Sequence, residues 1–593
     1  MNRITFCLTG KKLLFVLIIF CISAIDASWA QSKRTSPKPA KPPSKTEIKP
    51  PAKAATKPVV KAEVNYKVSW GPDLKLKGDA PNNILLYENG SFYAITDSRG
   101  GLFSKSSDYL SKFNSKMELV LQNKVETEKS DKSVSHHELM RIMEFNNEIY
   151  AITSEQDKRA KKLLFFAEKI NLTTLVPDGN KKKIFEVDYS VDKKREDDAV
   201  SILNDVDKKH ILIYDQPKIE KEQNIKLYVI ALDKSLSSLW SKDVELPLKA
   251  DKRRYIYFDK YIDPSSNLYL LTKVYADTEK KKNKTKDVVE GELNYDYHIY
   301  MIGKDIPTYV DYPFNLKDKA VSQVKLEVNE KGQLVACGFY GDINRDKNKV
   351  SGGKGVFYTI IDPEKNAIKA QSYKKFEAEV FTAGLSAKKA SKQEKKMEEG
   401  KADETDTYVI DKLIQRKDGG VTMIAENFYT YTVTHTVGNR TYTTTYFVYG
   451  NIIVTKINSS GEIEWTTVIP KKQVVTGMTE ICSYIMFDER SDTYDFYFND
   501  HRDNLSATSL SVNGAEVMNG KLKNMRFVRE VVNPDGSLSK REVAFKIDED
   551  DEDTRFCPTV SKIVNDDEII LYGVDHKKDK FAKIVYSNLE PKN

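Results

Sequence analysis

Seven carboxylates recur near the end of a repeated strand pattern, and they are the first candidates for chemistry. Each follows an aligned strand position by three to seven residues: Asp97, Glu155, Asp215, Asp342, Glu426, Asp500 and Asp575. Carboxylates in loops on one rim would suit a cation, a basic peptide or sugar hydroxyls, and a pair of them could serve acid–base catalysis. Because Asp and Glu are also common in turns, the pattern leaves open whether they bind a ligand or only shape the loops.

A stretch rich in tyrosine and threonine, residues 428–449, is the second candidate surface. Its alternation around Gly438 and Asn439 predicts a long hairpin with aromatic residues on both faces. The main binding candidates are Tyr429, Tyr431, Tyr442 and Tyr446, with Phe447 and Tyr449 near the base. An isolated hairpin cannot bury both faces. One face is therefore offered to a protein or glycan, or the hairpin packs as a long edge on a neighbouring sheet.

No motif identifies a reaction, a metal site or a cofactor. None of the seven histidines stands in an HExxH pattern, and GxSxG, GxGxxG on a βαβ unit and the P-loop are absent from the sequence. His501, beside Asp500 and Asp503, is the histidine best placed for acid–base work. We therefore predict no cofactor, no metal and no assigned catalytic residue. A non-catalytic binding or scaffolding module is favoured over a hydrolase or lyase acting on polysaccharide or peptide.

The elements that carry these residues are short β-strands. From residue 63 onward, runs of Tyr, Ile, Val, Leu, Phe and Thr alternate with Asn, Asp, Gly and Lys, a pattern typical of strands joined by turns. One strand type recurs around Tyr93, Tyr150, Leu212, Tyr269, Val335, Thr422, Asp495 and Ile570. The sequence predicts an all-β chain with a single β-propeller of seven or eight four-stranded blades over residues 63–593. A pair of stacked sandwiches is the alternative.

A second repeated element supports this register. Asp233 precedes Trp240, and Asn458 precedes Trp465, each by seven residues; related turns without Trp start at Phe113 and Ile361. We expect each strand to end, turn through Asn or Asp, and begin a strand whose Trp packs against a neighbouring sheet. Residues 64–70 could add a strand to the final blade, and the charged stretch 386–406 is predicted to be a partly helical or disordered insertion.

The first 62 residues predict export. Arg3, Lys11 and Lys12 precede the apolar run 13–22 and a small-residue site ending at Ala30, the pattern of a signal peptide over residues 1–30. Residues 31–62 carry seven prolines among lysines, and such a segment should be a disordered, extended linker. The linker either lies along an anionic wall or membrane surface or is a plain spacer. We expect the protein in the periplasm or at the cell surface.

The formal charge of +7 is concentrated in these first residues, and the remainder is close to neutral. We therefore expect no nucleic-acid partner; an envelope protein or glycan is the expected partner, and the oligomeric state is left open. Cys337, Cys482 and Cys557 follow the predicted cleavage site, and Cys482 could bridge to Cys557 or both could stay free.

Three segments carry a resemblance to a known group of proteins. At KINSSGEIEW, which ends at Trp465, at the Tyr/Thr-rich stretch before it, and at FNDHRDNL, from Phe498, the chain resembles uncharacterised exported β-propeller proteins of Gram-negative bacteria with quinoprotein or WD40-like repeats. The resemblance covers residues 63–593 loosely and 420–505 more specifically. It implies a propeller fold and an envelope location, and it implies no activity or catalytic residues. The Asp-to-Trp turn occurs clearly only twice, which argues against a quinone cofactor.

Overall fold

The computed structural model describes most of the chain from residue 65 onward. The described residues are 65–78, 80–98, 107–131, 134–188, 200–205, 207–251, 253–276, 286–314, 316, 319–329, 331–345, 348–350, 353–362, 367–398, 408–438, 440–490, 492–506, 514–545, 554–574, 578–587 and 589. The predicted signal peptide and linker lie outside them.

Eight antiparallel sheets of four or five strands follow one another along the described chain, after an initial strand β1 (Asn65–Trp70). Sheet 1 contains β2 (Pro81–Glu88), β3 (Ser91–Ser98), β4 (Ser107–Phe113) and β5 (Leu119–Lys124). Sheet 2 contains β6 (Val134–Phe145), β7 (Glu148–Asp157), β8 (Lys162–Lys169) and β9 (Lys182–Asp188). Sheet 3 contains β10 (Val200–Asn204), β11 (Ile211–Asp215), β12 (Asn224–Leu232) and β13 (Ser238–Lys249).

Sheets 4 and 5 each carry a small addition. Sheet 4 contains β14 (Tyr255–Ile262), β15 (Leu268–Tyr275), β18 (Tyr295–Ile302) and β19 (Val310–Phe314), with the two-stranded insert β16 (Val288–Val289) and β17 (Glu292–Leu293). Sheet 5 contains β20 (Lys319–Val328), β21 (Leu334–Asn344), β23 (Gly355–Asp362) and β24 (Ala367–Lys375), and β22 (Lys349–Val350) pairs with β21.

The last three sheets include the longest strands of the described chain. Sheet 6 contains β25 (Tyr408–Gln415), β26 (Val421–Val437), β27 (Arg440–Ile457) and β28 (Ile463–Ile469), and β29 (Gln473–Val475) pairs with β27. Sheet 7 contains β30 (Ile485–Asp488), β31 (Tyr494–His501), β32 (Met525–Val532) and β33 (Glu542–Val543). Sheet 8 contains β34 (Arg555–Phe556), β35 (Lys562–Ile563), β36 (Glu568–Val574) and β37 (Asp579–Ser587).

Two α-helices lie between sheets 5 and 6, namely α1 (Ala378–Thr382) and α2 (Ala387–Glu398). Helix α2 confirms the helical part of the predicted charged insertion, and residues 399–407 lie outside the described part. Within the described ranges, no helix is both long enough and apolar enough to cross a membrane.

The predicted repeat is confirmed by the position of its strand. Each of the eight aligned residues lies in the second strand of a different sheet, that is, in β3, β7, β11, β15, β21, β26, β31 and β36. These strands are apolar and buried; all five residues of β11, for example, are buried. A strand covered on both faces needs apolar residues at successive positions. The second strand of each sheet could therefore be recognised in the sequence as a repeated apolar run.

Strand β1 completes sheet 8 as its outer strand. It pairs antiparallel with β37, in register from Asn65 opposite Ser587 to Trp70 opposite Ala582. The Trp70 ring packs on Phe556, with the ring centroids 5.7 Å apart. The expected closing strand is therefore confirmed, and the first and last described strands belong to one sheet.

Successive sheets pack face to face around a ring. Eight apolar cores each join at least two neighbouring sheets, and the core that joins sheet 8 to sheet 1 also includes Val475 of sheet 6 and Met525 of sheet 7. In that core Phe92 and Phe113 of sheet 1 both lie 4.9 Å from Phe581 of sheet 8, measured between ring centroids. The first strand of one sheet lies beside the first strand of the next, as β14 lies beside β20 and β20 beside β25. The first strands are therefore the innermost strands of the ring. This radial arrangement is a β-propeller, not a pair of stacked sandwiches.

The outer part of the ring carries a repeated polar contact, here called the inter-sheet latch. A side chain from the fourth strand of one sheet donates a hydrogen bond to a backbone carbonyl in the turn between the third and fourth strands of the next. The latches are Asn123 to Thr174, Lys182 to Ser235, Lys242 to Lys304, Ser372 to Gly461 and Trp465 to Pro534. They hold the perimeter at five of the interfaces in the described chain.

The turns that receive the latches are built as the sequence predicted. The side-chain oxygen of Asn458 accepts the backbone N–H groups of Ser460 and Glu462, at 3.0 and 2.8 Å. Asp233 does the same for two serines of its turn. Asn and Asp favour such turns because their side chains replace a backbone acceptor. Asn114 and Asn171 form equivalent turns, and the second of these was not recognised in the sequence.

The predicted packing of Trp465 against a neighbouring sheet is confirmed. Its indole N–H lies 3.1 Å from the carbonyl oxygen of Pro534 in sheet 7, and its ring lies against Gly536. A Cβ atom at Gly536 would come within 2.7 Å of that ring, and the residue has φ +83°, so only glycine fits there. Trp240 is buried at the equivalent position, but its indole nitrogen has no hydrogen-bond partner among the described residues.

The three cysteines Cys337, Cys482 and Cys557 are free and buried. Cys482 and Cys557 nevertheless lie in adjoining segments, since the side-chain amide of Asn499 donates to the carbonyls of Ile481 and Phe556, at 2.7 and 2.6 Å.

The two tryptophans give a matched test of the latch. Trp465→Phe removes the shorter of two hydrogen bonds to the Pro534 carbonyl, which also accepts from Nζ of Lys456 at 3.3 Å, so we expect a loss of about 1 kcal/mol in the free energy of unfolding. Trp240→Phe removes an unpaired donor at the equivalent place and should cost less. Urea unfolding of the two variants measures the difference, and equal losses would contradict an energetic role for the latch.

Candidate functional site

Six of the seven predicted carboxylates lie at the same end of the second strands. Asp97, Glu155, Asp215, Asp342, Glu426 and Asp500 belong to β3, β7, β11, β21, β26 and β31, and Asp575 lies outside the described residues. Because equivalent ends of these strands face one side of the ring, the six share one rim. They are strand residues, however, and not loop residues as the sequence suggested. Glu155, Asp215, Glu426 and Asp500 are buried.

Glu155 is held inside sheet 2 by several donors. Its carboxylate accepts hydrogen bonds from the hydroxyl and the backbone N–H of Ser130, and it lies 3.0 Å from Nζ of Lys181 and 3.1 Å from Nδ1 of His137. Burial opposes the charge, but the bonds from Ser130 and Lys181 prevail and hold the pKa of Glu155 below its usual value. The carboxylate is thus anionic and already engaged.

Glu426 belongs to a buried network between sheets 6 and 7. One carboxylate oxygen lies 2.7 Å from Nζ of Lys471, and the other accepts the Ser483 hydroxyl at 2.6 Å. Gln473 joins them, since its side-chain oxygen accepts from Lys471 at 3.0 Å and from the Ser483 backbone at 2.7 Å. The Lys471 side chain is fully buried, so its ammonium depends on these acceptors.

Asp500 belongs to a second buried network directly beside the first. Arg541 lies 2.5 Å from Asp500 and 2.6 Å from Glu530, and it also donates to the carbonyl of Pro470, the residue before Lys471. Burial raises the pKa of Asp500 and of Glu530, and the Arg541 charge opposes that rise. The His501 ring lies 3.6 Å from Asp503 instead. Nothing in the sequence marked Lys471 or Arg541 as partners of these carboxylates.

The remaining rim carboxylates are more exposed. Asp342 lies 2.7 Å from Nζ of Lys354. Asp97 lies opposite Asp108 in the register of β3 and β4. Burial, together with the charge of Asp97, raises the pKa of Asp108. Two neighbouring carboxyl groups, one of them with a raised pKa, are an arrangement that acid–base catalysis can use. Ligand binding by the rim stays a prediction.

The predicted hairpin is present, and it projects from sheet 6. Val437 pairs with Arg440 across a two-residue turn, and Gly438 has φ +60°; Asn439 lies outside the described residues. Strand β25 pairs with β26 only as far as Asn427. Residues 428–449, here called the tyrosine ribbon, therefore continue as two strands, and they extend roughly 25 Å from Thr430 to the turn.

The register sorts the tyrosine ribbon into two different faces. Opposed residues share a face, and Tyr431 stands opposite Tyr446. The face that carries this pair, here called the tyrosine face, also contains Tyr429, Val433, His435, Arg440, Tyr442, Thr444 and Val448. The other face carries Thr430, Thr432, Thr434, Thr436, Thr441, Thr443 and Thr445, with Phe428, Phe447 and Tyr449 at its base. Both faces carry aromatic residues, as predicted, but the four candidate tyrosines lie on one.

The tyrosine face is open to solvent. Tyr429, Tyr431 and Tyr442 are 41%, 42% and 52% exposed. The rings of Tyr431 and Tyr446 stack on one another across the two strands, with centroids 4.8 Å apart and planes 5° apart. At the base, Phe447 and Tyr449 pack against an apolar core instead. The ribbon is thus anchored at one end and uncovered at the other.

A cavity of about 390 Å³ opens at the opposite rim between sheets 3 and 4, and His210, Trp240, Asn267 and Lys304 contribute to its lining. Asp205 lies 2.9 Å from Nδ1 of His210 and orients the ring. Within the described ranges, no three His, Cys, Asp or Glu side chains are grouped so that they could hold a metal ion.

No protein-family model and no curated protein matches the chain. Among solved structures the chain is similar to the WD40 domain of SCAP from fission yeast, with 9% identity and a TM-score of 0.32 over 89% of this chain and 96% of that one. It is also similar to an alpha-L-arabinanase of Penicillium chrysogenum complexed with arabinobiose, with 10% identity and a TM-score of 0.25 over 57% and 93%. Such distant likeness carries no functional argument, and the fold assignment rests on strand order and packing.

The network around Lys471 makes a clear stability prediction. Lys471→Met should lower the free energy of unfolding by roughly 3–5 kcal/mol, because it leaves the Glu426 carboxylate buried without its cation. The double variant Lys471→Met/Glu426→Gln should be more stable than the single one, because the stranded charge is gone. Thermal and urea unfolding measure both variants. A double variant that is less stable than Lys471→Met would contradict the pairing.

Proposed function

We propose that this protein is a non-catalytic binding or scaffolding propeller of the cell envelope that engages its partner through the tyrosine face. Exposed tyrosines on a rigid two-stranded support are the observation that carries the proposal. Tyrosine offers a large amphipathic contact at low cost in side-chain entropy, and an exposed aromatic surface of this kind marks a binding site.

The chemistry of the tyrosine face favours a neutral glycan as the partner. Arg440 is the only Asp, Glu, Lys or Arg in residues 428–449, whereas 31% of the whole chain is charged. A surface with a single charge, Arg440 beside the turn, gives little to a highly charged ligand, and exposed aromatic rings can pack against the apolar face of a sugar. The tyrosine hydroxyls remain available for the sugar hydroxyls.

The setting of the module is part of the same proposal. The eight sheets are taken as eight blades of one ring, displayed outside the cytoplasm after removal of residues 1–30. Residues 31–62 are the basic tether, which lies along an anionic surface or serves as a spacer. Support comes from the sequence pattern of these residues, and the tether would leave the ring at its outer strand β1.

Replacing the exposed rings should abolish capture. For the full chain carrying Tyr429→Thr, Tyr431→Thr and Tyr442→Thr, we expect glycan affinity to fall at least about tenfold, since each aromatic contact contributes about 0.5–1.5 kcal/mol. A glycan array and a pull-down from envelope extract measure this. Thr443→Ser with Thr445→Ser, on the other face, is the matched control. Loss of a captured protein with no glycan signal would make the partner a protein, and no capture by any form would reject the proposal.

A hydrolase using rim carboxylates is the alternative, and the opposed Asp97 and Asp108 are its best pair. Glu155, Glu426 and Asp500 are each already paired with a cation, which leaves them little freedom for proton transfer. We expect no release of reducing ends when the full chain is incubated with envelope polysaccharide. Release that disappears in Asp108→Asn but persists in Asp342→Asn would favour the hydrolase, because loss of one catalytic carboxyl removes nearly all turnover.

A further inference from the structure

The tyrosine ribbon has an open edge as well as an open face. From Phe428 to Val437, β26 pairs with no described strand except β27. The opposite edge, along β27, is shorter, because β29 pairs with Phe447, Val448 and Tyr449. Within the described part of the chain, one edge of the ribbon is therefore unpaired over ten residues, of which alternate residues point their backbone groups outward.

The backbone groups at this edge can be assigned. In a hairpin with a two-residue turn, the pair that closes the turn exchanges hydrogen bonds, and hydrogen-bonded and non-hydrogen-bonded pairs then alternate. Val437 and Arg440 form the closing pair. It follows that the backbone N–H and C=O groups of Val433 and His435 form hydrogen bonds with β27. The N–H and C=O groups that point to the open edge belong to Thr430, Thr432, Thr434 and Thr436.

This edge lacks the features that usually prevent strand addition. Soluble proteins protect edge strands with lysine, proline, inward charges or bulges. The stretch from Phe428 to Val437 contains no proline and no Asp, Glu, Lys or Arg. Arg440, the ribbon's single charge, lies on β27. The unprotected edge is thus the longer one, and it is made of residues that favour β-structure.

We propose that the β26 edge pairs antiparallel with the same edge of a second copy of this chain, about a two-fold axis at Val433. Thr432 then stands opposite Thr434 of the second copy, and Thr430 opposite Thr436. These are the residues whose backbone groups point outward, so each of these pairs exchanges hydrogen bonds. Tyr431 stands opposite His435 of the second copy, and no like charges meet. A two-fold contact of this kind consumes both open edges and stops at a dimer.

The dimer joins two ribbons into one four-stranded sheet and leaves the tyrosine face uncovered. Because opposed residues share a face, the tyrosines of both copies form one continuous surface. The pairing uses backbone groups of the edge, whereas the proposed glycan contact uses the face. The two proposals are therefore independent and can fail separately.

Sedimentation velocity and light scattering of the full chain at micromolar concentration test the pairing. We expect twice the mass of the chain. Thr432→Lys/Thr434→Lys places lysines opposite lysines across the axis and should give the monomer mass. Thr443→Lys/Thr445→Lys is the matched control: these threonines stand opposite the same two in the ribbon, but they lie one strand away from the seam, and this variant should remain dimeric.

A charge exchange separates loss of pairing from loss of folding. Mixing the lysine variant with Thr432→Glu/Thr434→Glu should restore the dimer mass, and high salt should weaken that mixed dimer. A monomeric wild-type chain, a monomeric control variant, or failure of the mixture to associate would overturn the proposal. A monomer in which the backbone amides of Thr430 to Thr436 exchange slowly with deuterium would also overturn the proposal, because residues of the same chain would then cover the edge. The tyrosine variants used for glycan capture should keep the dimer mass.

Discussion

The packing of each sheet on its neighbour is the constraint on which the rest of this structure depends. A four-stranded sheet with apolar side chains on both faces is not stable alone, and here every apolar core belongs to at least two sheets at once. The inter-sheet latches repeat this dependence at the perimeter, where a donor such as Lys242 adds hydrogen bonds to carbonyls of the next sheet. The rim carboxylates and the tyrosine ribbon hold fixed positions because both are extensions of strands locked in this ring.

Much of the fold could be predicted because its signals are local. The second strand is buried on both faces and reads as an apolar run, as in β11 and β15, and the turns follow from Asx chemistry within a few residues. The partners of the carboxylates could not be predicted in the same way. Lys471 is 45 residues from Glu426, and Arg541 is 41 residues from Asp500; either pairing requires the strand order and register of a whole sheet. Sequence alternation predicted the hairpin, and its two-residue turn sets which tyrosines share a face. The register shift between Glu426 and Phe428, which sets how the ribbon continues from sheet 6, had no such local signal.

Charge is distributed differently in the two candidate surfaces, and this difference governs what each can do. In the rim, Glu155, Glu426 and Asp500 are each paired with a cation of the protein, so they contribute to specific packing more readily than to an external ligand. In the tyrosine ribbon, charge is nearly absent, and the polar groups are hydroxyls and backbone amides. Such a surface discriminates by shape and hydrogen bonding, with little dependence on ionic strength.

The pairing of β1 with β37 sets the order in which the molecule can form. Each of the other sheets is assembled from a nearly contiguous stretch of chain, but this one joins residues 522 positions apart, as the contact of Ser587 with Asn65 shows. Closing so long a segment carries an entropic cost and must come late in folding. A chain that crosses a membrane N-terminus first would therefore hold β1 unpaired until its final strand emerged. Until then, the edge of β1 that later pairs with β37 would be exposed. It would need protection by a chaperone or by the charged residues that precede β1.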